Sequence, residues 1–208
     1  MEKVEKLNLV AIQYGVAKRT LPGQGQSGDR HVVKKHPKGE VIAVVDGLGH
    51  GEAAAAAAEL AVGIVETYAG ETVSSLITRC HRELRGTRGV ALSIADLDAT
   101  TGTLTWAGIG NVEGLLVHAS TTEERGKREH ILLRGGVVGY HLPAFPTLAT
   151  SVKAGDTLIL ATDGVKRDFW DEPRLDYEPQ LLADTLLRRY IAHTDDALVL
   201  VARMVDSC

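Results

Sequence analysis

Cysteine is nearly absent. The 208-residue chain has two, Cys80 and Cys208, far apart and without a CxxC or metal-ligand spacing, which excludes a disulfide framework and a thiolate zinc site. Cys80 falls on the apolar stripe of an expected helix, so both are read as reduced thiols. Basic clustering is missing as well: the formal net charge is −4, with Lys and Arg spread along the chain. That leaves no footprint for nucleic acid or an anionic membrane, and neither is expected as a partner. The most apolar helical run, residues 53–65, is mostly alanine, is broken by Glu59 and is too short to cross a bilayer. The opening MEKVEK carries acids where a secretory signal needs a basic start, so export is not expected and the cytoplasm is. There is no Pro/Gly/Ser tract and no internal repeat. With 44% apolar residues the chain reads as a single domain over 1–208 with a sizeable core.

What is present has a clear order. Residues 7–16 and 30–34 have strand character on either side of the Gly-rich stretch 22–28. Residues 40–45 form an apolar strand, followed by the tight loop DGLGHG and an Ala-rich helix reaching Tyr68. Val73, Leu76, Ile77, Cys80 and Leu84 recur at helical spacing and predict a second helix directly after the first. Short strands with intervening turns follow at 90–96, 103–108, 112–118, 130–133, 147–152 and 157–161. Residues 123–129 read as a charged, exposed loop. A last helix over 179–191, with Leu181, Leu182, Leu186 and Tyr190 facing inward, precedes a final strand at 197–204. Trp106 and Trp170 are read as packing residues. Strands, paired helices, a run of strands, then helix and strand predict an α+β layered domain with antiparallel pairing, not a doubly wound parallel sheet.

Three acidic sites share one local design, an apolar strand meeting Asp at its end. Residues 41–45 lead into Asp46-Gly47, residues 158–162 into Asp163-Gly164, and Asp195-Asp196 precede residues 197–201. A single Asp-Gly is most simply a turn. Three carboxylates at the ends of apolar strands cost desolvation unless they bind something, and strand ends from different parts of a chain can build an oxygen cage for a hard divalent cation. Glycine after the Asp would let such an ion approach the backbone carbonyl.

These residues resemble a known family, the metal-dependent protein phosphatases of type 2C, in its bacterial stress-response and sporulation branch. The resemblance runs through Gly28-Asp29, VIAVVDGLGHG at 41–51, RGVALSIADLD at 88–98, GIGNVEGLLVH at 108–118, GDTLILATDGV at 155–165 and DDALVLVAR at 195–203. It covers almost the whole chain, and the segment Gly110-Asn111-Val112 is similar to the RsbX-type phosphatases, which act on the stressosome.

The resemblance implies a four-layer α/β/β/α sandwich of two mainly antiparallel sheets flanked by helices. It implies two Mn²⁺ or Mg²⁺ ions, with Asp46 bridging both, the Gly47 carbonyl on one, and Asp163 and Asp195 on the other. Asp29 would hold metal-bound water. The implied activity is hydrolysis of phosphoserine or phosphothreonine on protein partners, STAS-domain stressosome proteins among them, by a metal-bridging water and without a phosphoenzyme. Many members have Gly-Asp-Ser where this chain has Asn111, and an acid where it has Arg167, so two ions are expected and not three; Asp168 is an exposed loop carboxylate or a displaced substitute. His50 is a candidate proton donor to the leaving alkoxide or a loop residue without a role. No arginine is assignable as the phosphate clamp, though Arg19 and Arg30 lie near the first acidic motif.

Two rivals remain in view. Gly49-His50-Gly51-Glu52-Ala53-Ala54 fits a dinucleotide fingerprint, but the acid that should end a second parallel strand about 20 residues on would fall in consecutive helices. A catalytically silent relative binding partners through the same fold is the other, against which stands the joint presence of Asp46, Asp163 and Asp195.

Overall fold

Strict alternation within the apolar strands sets the layers. The computed structural model describes residues 10–119, 127–170 and 175–207. The chain opens with β1 (Val10–Arg19), β2 (Asp29–His36) and β3 (Gly39–Gly47), then α1 (Glu52–Thr67) and α2 (Val73–Glu83). It continues through β4 (Val90–Asp98), β5 (Thr103–Ile109), β6 (Glu113–Val117), β7 (Arg128–His130), β8 (Leu133–Arg134), β9 (Leu148–Ser151) and β10 (Thr157–Ala161). A 3-10 turn (Arg167–Trp170), α3 (Pro179–Tyr190) and β11 (Ala197–Asp206) complete it.

The strands form a five-stranded sheet ordered β1-β11-β10-β6-β7 and a six-stranded sheet ordered β2-β3-β4-β5-β8, with β9 on β5. In β3, Val41, Ala43 and Val45 pack with α1 and α2, while Ile42 and Val44 turn to the other sheet and meet Leu198 and Leu200 of β11. In β11, Val199 and Val201 pack against Leu182, Ala183 and Leu186 of α3. Period-two strands with both faces buried therefore produce the four-layer α/β/β/α arrangement expected. Ala54, Ala55, Ala57, Ala58 and Ala61 are all buried, and their small side chains let α1 lie close on its sheet. Thr72 caps α2 by accepting from Ser75 N at 3.3 Å. Cys80 is buried against the Ala61 carbonyl, and burial pushes its thiol up to about 12, which makes it inert. Trp106 is core; Trp170 packs on Phe169 and meets His130 edge-on.

Two expectations need correction. Residues 130–133 are not one strand: β7 pairs with β6 in one sheet, and β8 pairs in parallel with β5 in the other. Ile131, buried between the sheets, is the crossing point, and an apolar run cannot say which sheet each of its ends joins. Leu181 faces solvent at 50% exposure, because the buried stripe of α3 runs through Pro179, Leu182, Ala183 and Leu186. The first strand continues to Arg19, while residues 7–9, Cys208 and residues 123–126 of the expected charged loop lie outside the described residues. Among the described residues no helix is long and apolar enough to cross a membrane.

Candidate active site

Antiparallel pairing brings the first two acids together: Asp29, at the start of β2, is the cross-strand partner of Asp46, at the end of β3. From the other sheet, Thr162 at the end of β10 donates its hydroxyl to Asp29 Oδ2 at 2.8 Å and accepts Leu198 N at 2.9 Å. One hydroxyl thus ties the rims of the two sheets. Asp29 is only 2% exposed, and burial, then the charge of Asp46, pushes its carboxyl up to about 8. Asp46 is pushed up to about 7 by burial and by the charges of Asp163 and Asp195. Asp163 is raised for the same reasons, burial first and Asp195 second. The carboxylates predicted from strand ends therefore do converge, near enough to oppose one another's ionisation.

Asn111 works against that opposition. Its Nδ2 donates to Asp163 Oδ2 at 2.7 Å, and the same amide tempers the rise of Asp46. Its Oδ1 is buried without a protein partner. An Asp there would add another repelling carboxylate where the amide supplies a donor.

Asp196 has a separate task. Its two oxygens accept Leu21 N at 2.7 Å and Gly28 N at 2.6 Å, which clasps the loop before Asp29 onto the start of β11. Asp195, whose Oδ1 accepts Asp196 N at 2.8 Å, is left partly exposed toward Asp46 and Asp163. Sequence reasoning assigned no role to Asp196 or Thr162, since both act through pairings between distant segments.

The glycines after the aspartates have a reason of their own. A Cβ on Gly47 would fall on the Ala54 carbonyl oxygen, and one on Gly164 on the Asp196 carbonyl oxygen. Backbone packing alone demands glycine at both positions, whatever an ion requires. Gly164→Ala is expected to lower stability by about 2–3 kcal/mol in urea denaturation, whereas Gly63→Ala, in open space on α1, should stabilise by roughly 0.5–1 kcal/mol. Equal effects would show that the close approach at Gly164 is not a real constraint.

The remaining candidates lie farther out. His50 is exposed in the loop after β3 and makes no hydrogen bond among the described residues. Arg30 is spent on the carbonyls of Ser27 (2.6 Å) and Asp29 (3.0 Å). Arg19 lines a groove against α3 with Lys18, Asp184 and Arg188. Arg167 pairs with Glu113 at 2.6 Å, and Asp168 is exposed beside it.

Among the described residues no three His, Cys, Asp or Glu side chains are already drawn around an ion-sized space; Asp46, Asp163 and Asp195 interact at longer range. The donor set nevertheless fits a hard divalent cation. It consists of carboxyl groups pushed up by burial and then by one another's charge, with the Asn111 Oδ1, which lacks a protein partner, nearby. A cation is the one partner that relieves all of these at once.

Comparison with known proteins gives a consistent result. The family model described as Stage II sporulation protein E (SpoIIE) matches residues 37–205. The phosphoserine phosphatase RsbX of Bacillus subtilis (strain 168) is 29% identical over 143 residues, 69% of each chain. A solved chain from work on the bacterial stressosome as a modular system adapted to control secondary messenger signalling superposes with a TM-score of 0.83 at 28% identity, covering 92% of this chain and 99% of that one. The crystal structure of RsbX in complex with magnesium superposes with a TM-score of 0.80 at 25% identity, covering 93% and 95%.

Proposed function

The chain belongs to the Stage II sporulation protein E (SpoIIE) family, and on that premise we propose that it is a metal-dependent phosphoserine/phosphothreonine protein phosphatase acting on STAS-domain phosphoproteins of a stressosome-type complex. The observation that carries the reading is the meeting of Asp29, Asp46, Asp163 and Asp195 from the rims of both sheets, each acid exposed to its neighbours' charge. The likeness to RsbX and to the stressosome-related chain supports the substrate class, and the magnesium complex of RsbX supports the cofactor. The same reading makes residues 1–208 a single phosphatase domain and puts the protein in the cytoplasm with its substrates.

Two divalent ions, Mn²⁺ or Mg²⁺, held by these acids would supply charge to offset the phosphoryl oxygens and would acidify water for hydrolysis. Asp46, the Gly47 carbonyl, Asp163 and Asp195 are the groups that would hold them, with Asp46 shared between the two. Asp29, held by the Thr162 hydroxyl, would orient water beside them. Asn111 holds Asp163, and with the Arg167–Glu113 pair it stands where further acids would be needed for a third ion. His50 is exposed and free to reach a leaving serine or threonine oxygen.

The test is phosphate release from an aryl phosphate and from a phosphoserine peptide by metal-stripped protein, before and after Mn²⁺ or Mg²⁺ is added. Turnover that appears only with metal is expected. Protein that binds the ions and hydrolyses neither substrate would be a binding module instead.

A further inference from the structure

Resting on the phosphatase reading for the identity of the ligand, we propose that Arg88 is the guanidinium that binds the substrate's phosphate. Asp29, Asp46, Asp163, Asp195 and Asp196 crowd one rim of the sandwich. A phosphate dianion approaching that rim is repelled wherever the ions do not shield it. A fixed cation at the mouth of the site corrects this, and arginine suits it: always charged, and able to present two parallel donors to two phosphate oxygens.

The arginines near the site are mostly committed. Arg30 holds two backbone carbonyls, and Arg167 is paired with Glu113. Arg128 donates to the Trp170 carbonyl at 2.6 Å. Arg19 sits in the groove against α3, with Asp184 opposite.

Arg88 differs in both placement and partners. It stands two residues before Val90, the cross-strand partner of Gly47, and Gly89 O accepts Leu48 N at 3.1 Å. The chain bearing Arg88 therefore runs alongside the loop that leaves Asp46. Its guanidinium lies on that loop: Nη1 is 2.7 Å from where a Cβ on Gly49 would stand. Gly49, at φ +82°, takes a backbone shape natural to glycine, and the missing side chain leaves room for the guanidinium. Arg88 is exposed, and among the described residues no carboxylate or carbonyl takes a bond from it. A free guanidinium laid over the loop that follows Asp46 is placed to receive an anion. His50, the candidate proton donor, is the next residue along the same loop, so one loop sets phosphate binding beside leaving-group protonation.

The experiment titrates inorganic phosphate calorimetrically into Mn²⁺-loaded wild type, Arg88→Ala and Arg88→Lys, and measures phosphoserine-peptide turnover on the same samples. Arg88→Ala is expected to weaken phosphate binding by about 10- to 100-fold and to raise KM by a similar factor, with Arg88→Lys recovering part of the loss. Unchanged melting temperatures would separate this from misfolding, since the side chain is exposed. Wild type that binds phosphate through Arg88 yet hydrolyses no peptide would sustain this inference and overturn the phosphatase reading. Arg88→Ala that binds phosphate within about twofold of wild type, or Mn²⁺-loaded wild type that binds none, would overturn the inference itself.

Discussion

Asp46→Asn is expected to lower metal-dependent phosphate release by about a thousandfold or more, while the metal-free protein stays folded and becomes slightly more stable. The two halves of this expectation have one cause. Asp46 is largely buried, the charges of Asp163 and Asp195 oppose its own, and it lies across from Asp29. Asn has the same shape and carries no charge. The substitution removes the burial of a charge first and the repulsion of its neighbours second, a relief in the metal-free state of about 1 kcal/mol or more, since one unit of pKa is worth 1.36 kcal/mol and Asp46 is pushed up to about 7. It also removes the one carboxylate that both ions share in the proposed site. Turnover and melting temperature, each with and without Mn²⁺, measure both halves. Near wild-type turnover in Asp46→Asn would sink the assignment. Loss of turnover together with a fall in metal-free stability would show that Asp46 is structural.

That opposition between function and stability explains the surrounding construction. A rim of like charges is tolerated only if the backbone beneath cannot spread, and three devices prevent it. The Asp196 side chain clasps Leu21 and Gly28, the Thr162 hydroxyl bridges Asp29 and Leu198, and the two Asp-Gly turns are pressed against neighbouring carbonyls. The Asp196 and Thr162 contacts join segments far apart in the chain, as holding converging strand ends in place requires.

This also marks how far the sequence could be read. Apolar strands ending in Asp, and consecutive helices after the first acidic loop, depend on local pattern, and the structure has them where they were expected. The split of 130–133 between two sheets was not legible, because alternation around Ile131 is the same whichever sheet each end joins. Gly47 and Gly164 invited an explanation through metal approach, whereas the demand comes from the Ala54 and Asp196 backbones, which only the folded chain brings there. Thr162, Asp196 and Arg88 carried no signal of their own: a threonine in a strand, the second of two acids and an arginine before a glycine acquire roles through their neighbours in space. One cue was available for Asn111, the departure from Gly-Asp-Ser. Its consequence, an amide that donates to Asp163 and tempers Asp46, appears only when the two acids are seen beside it.

The metal-free protein is expected to lose stability as pH rises from about 4 to about 8, and Mn²⁺ is expected to reverse the trend. Asp29 is buried, with a folded-state carboxyl pushed up to about 8, against 3.8 for the ordinary side chain; Asp46 follows at about 7. An acid of this kind holds its proton more tightly in the folded state than in the unfolded one. Its protonation therefore stabilises the fold fully below about 4, and the contribution disappears as pH climbs through 7 and 8. Most proteins are acid-labile because paired carboxylates lose their partners at low pH; here, with chelator present, the acidic rim works the other way. Divalent ions bind the ionised form, so their stabilisation should grow over the same interval, in proportion to the protons they displace. Melting curves between pH 5 and 8, with chelator and with Mn²⁺, read this directly. The expected pattern is a melting temperature that falls with pH in chelator and holds or rises in Mn²⁺. Parallel curves would mean that ion binding does not displace these protons, and that Asp29 and Asp46 do not form the ion site.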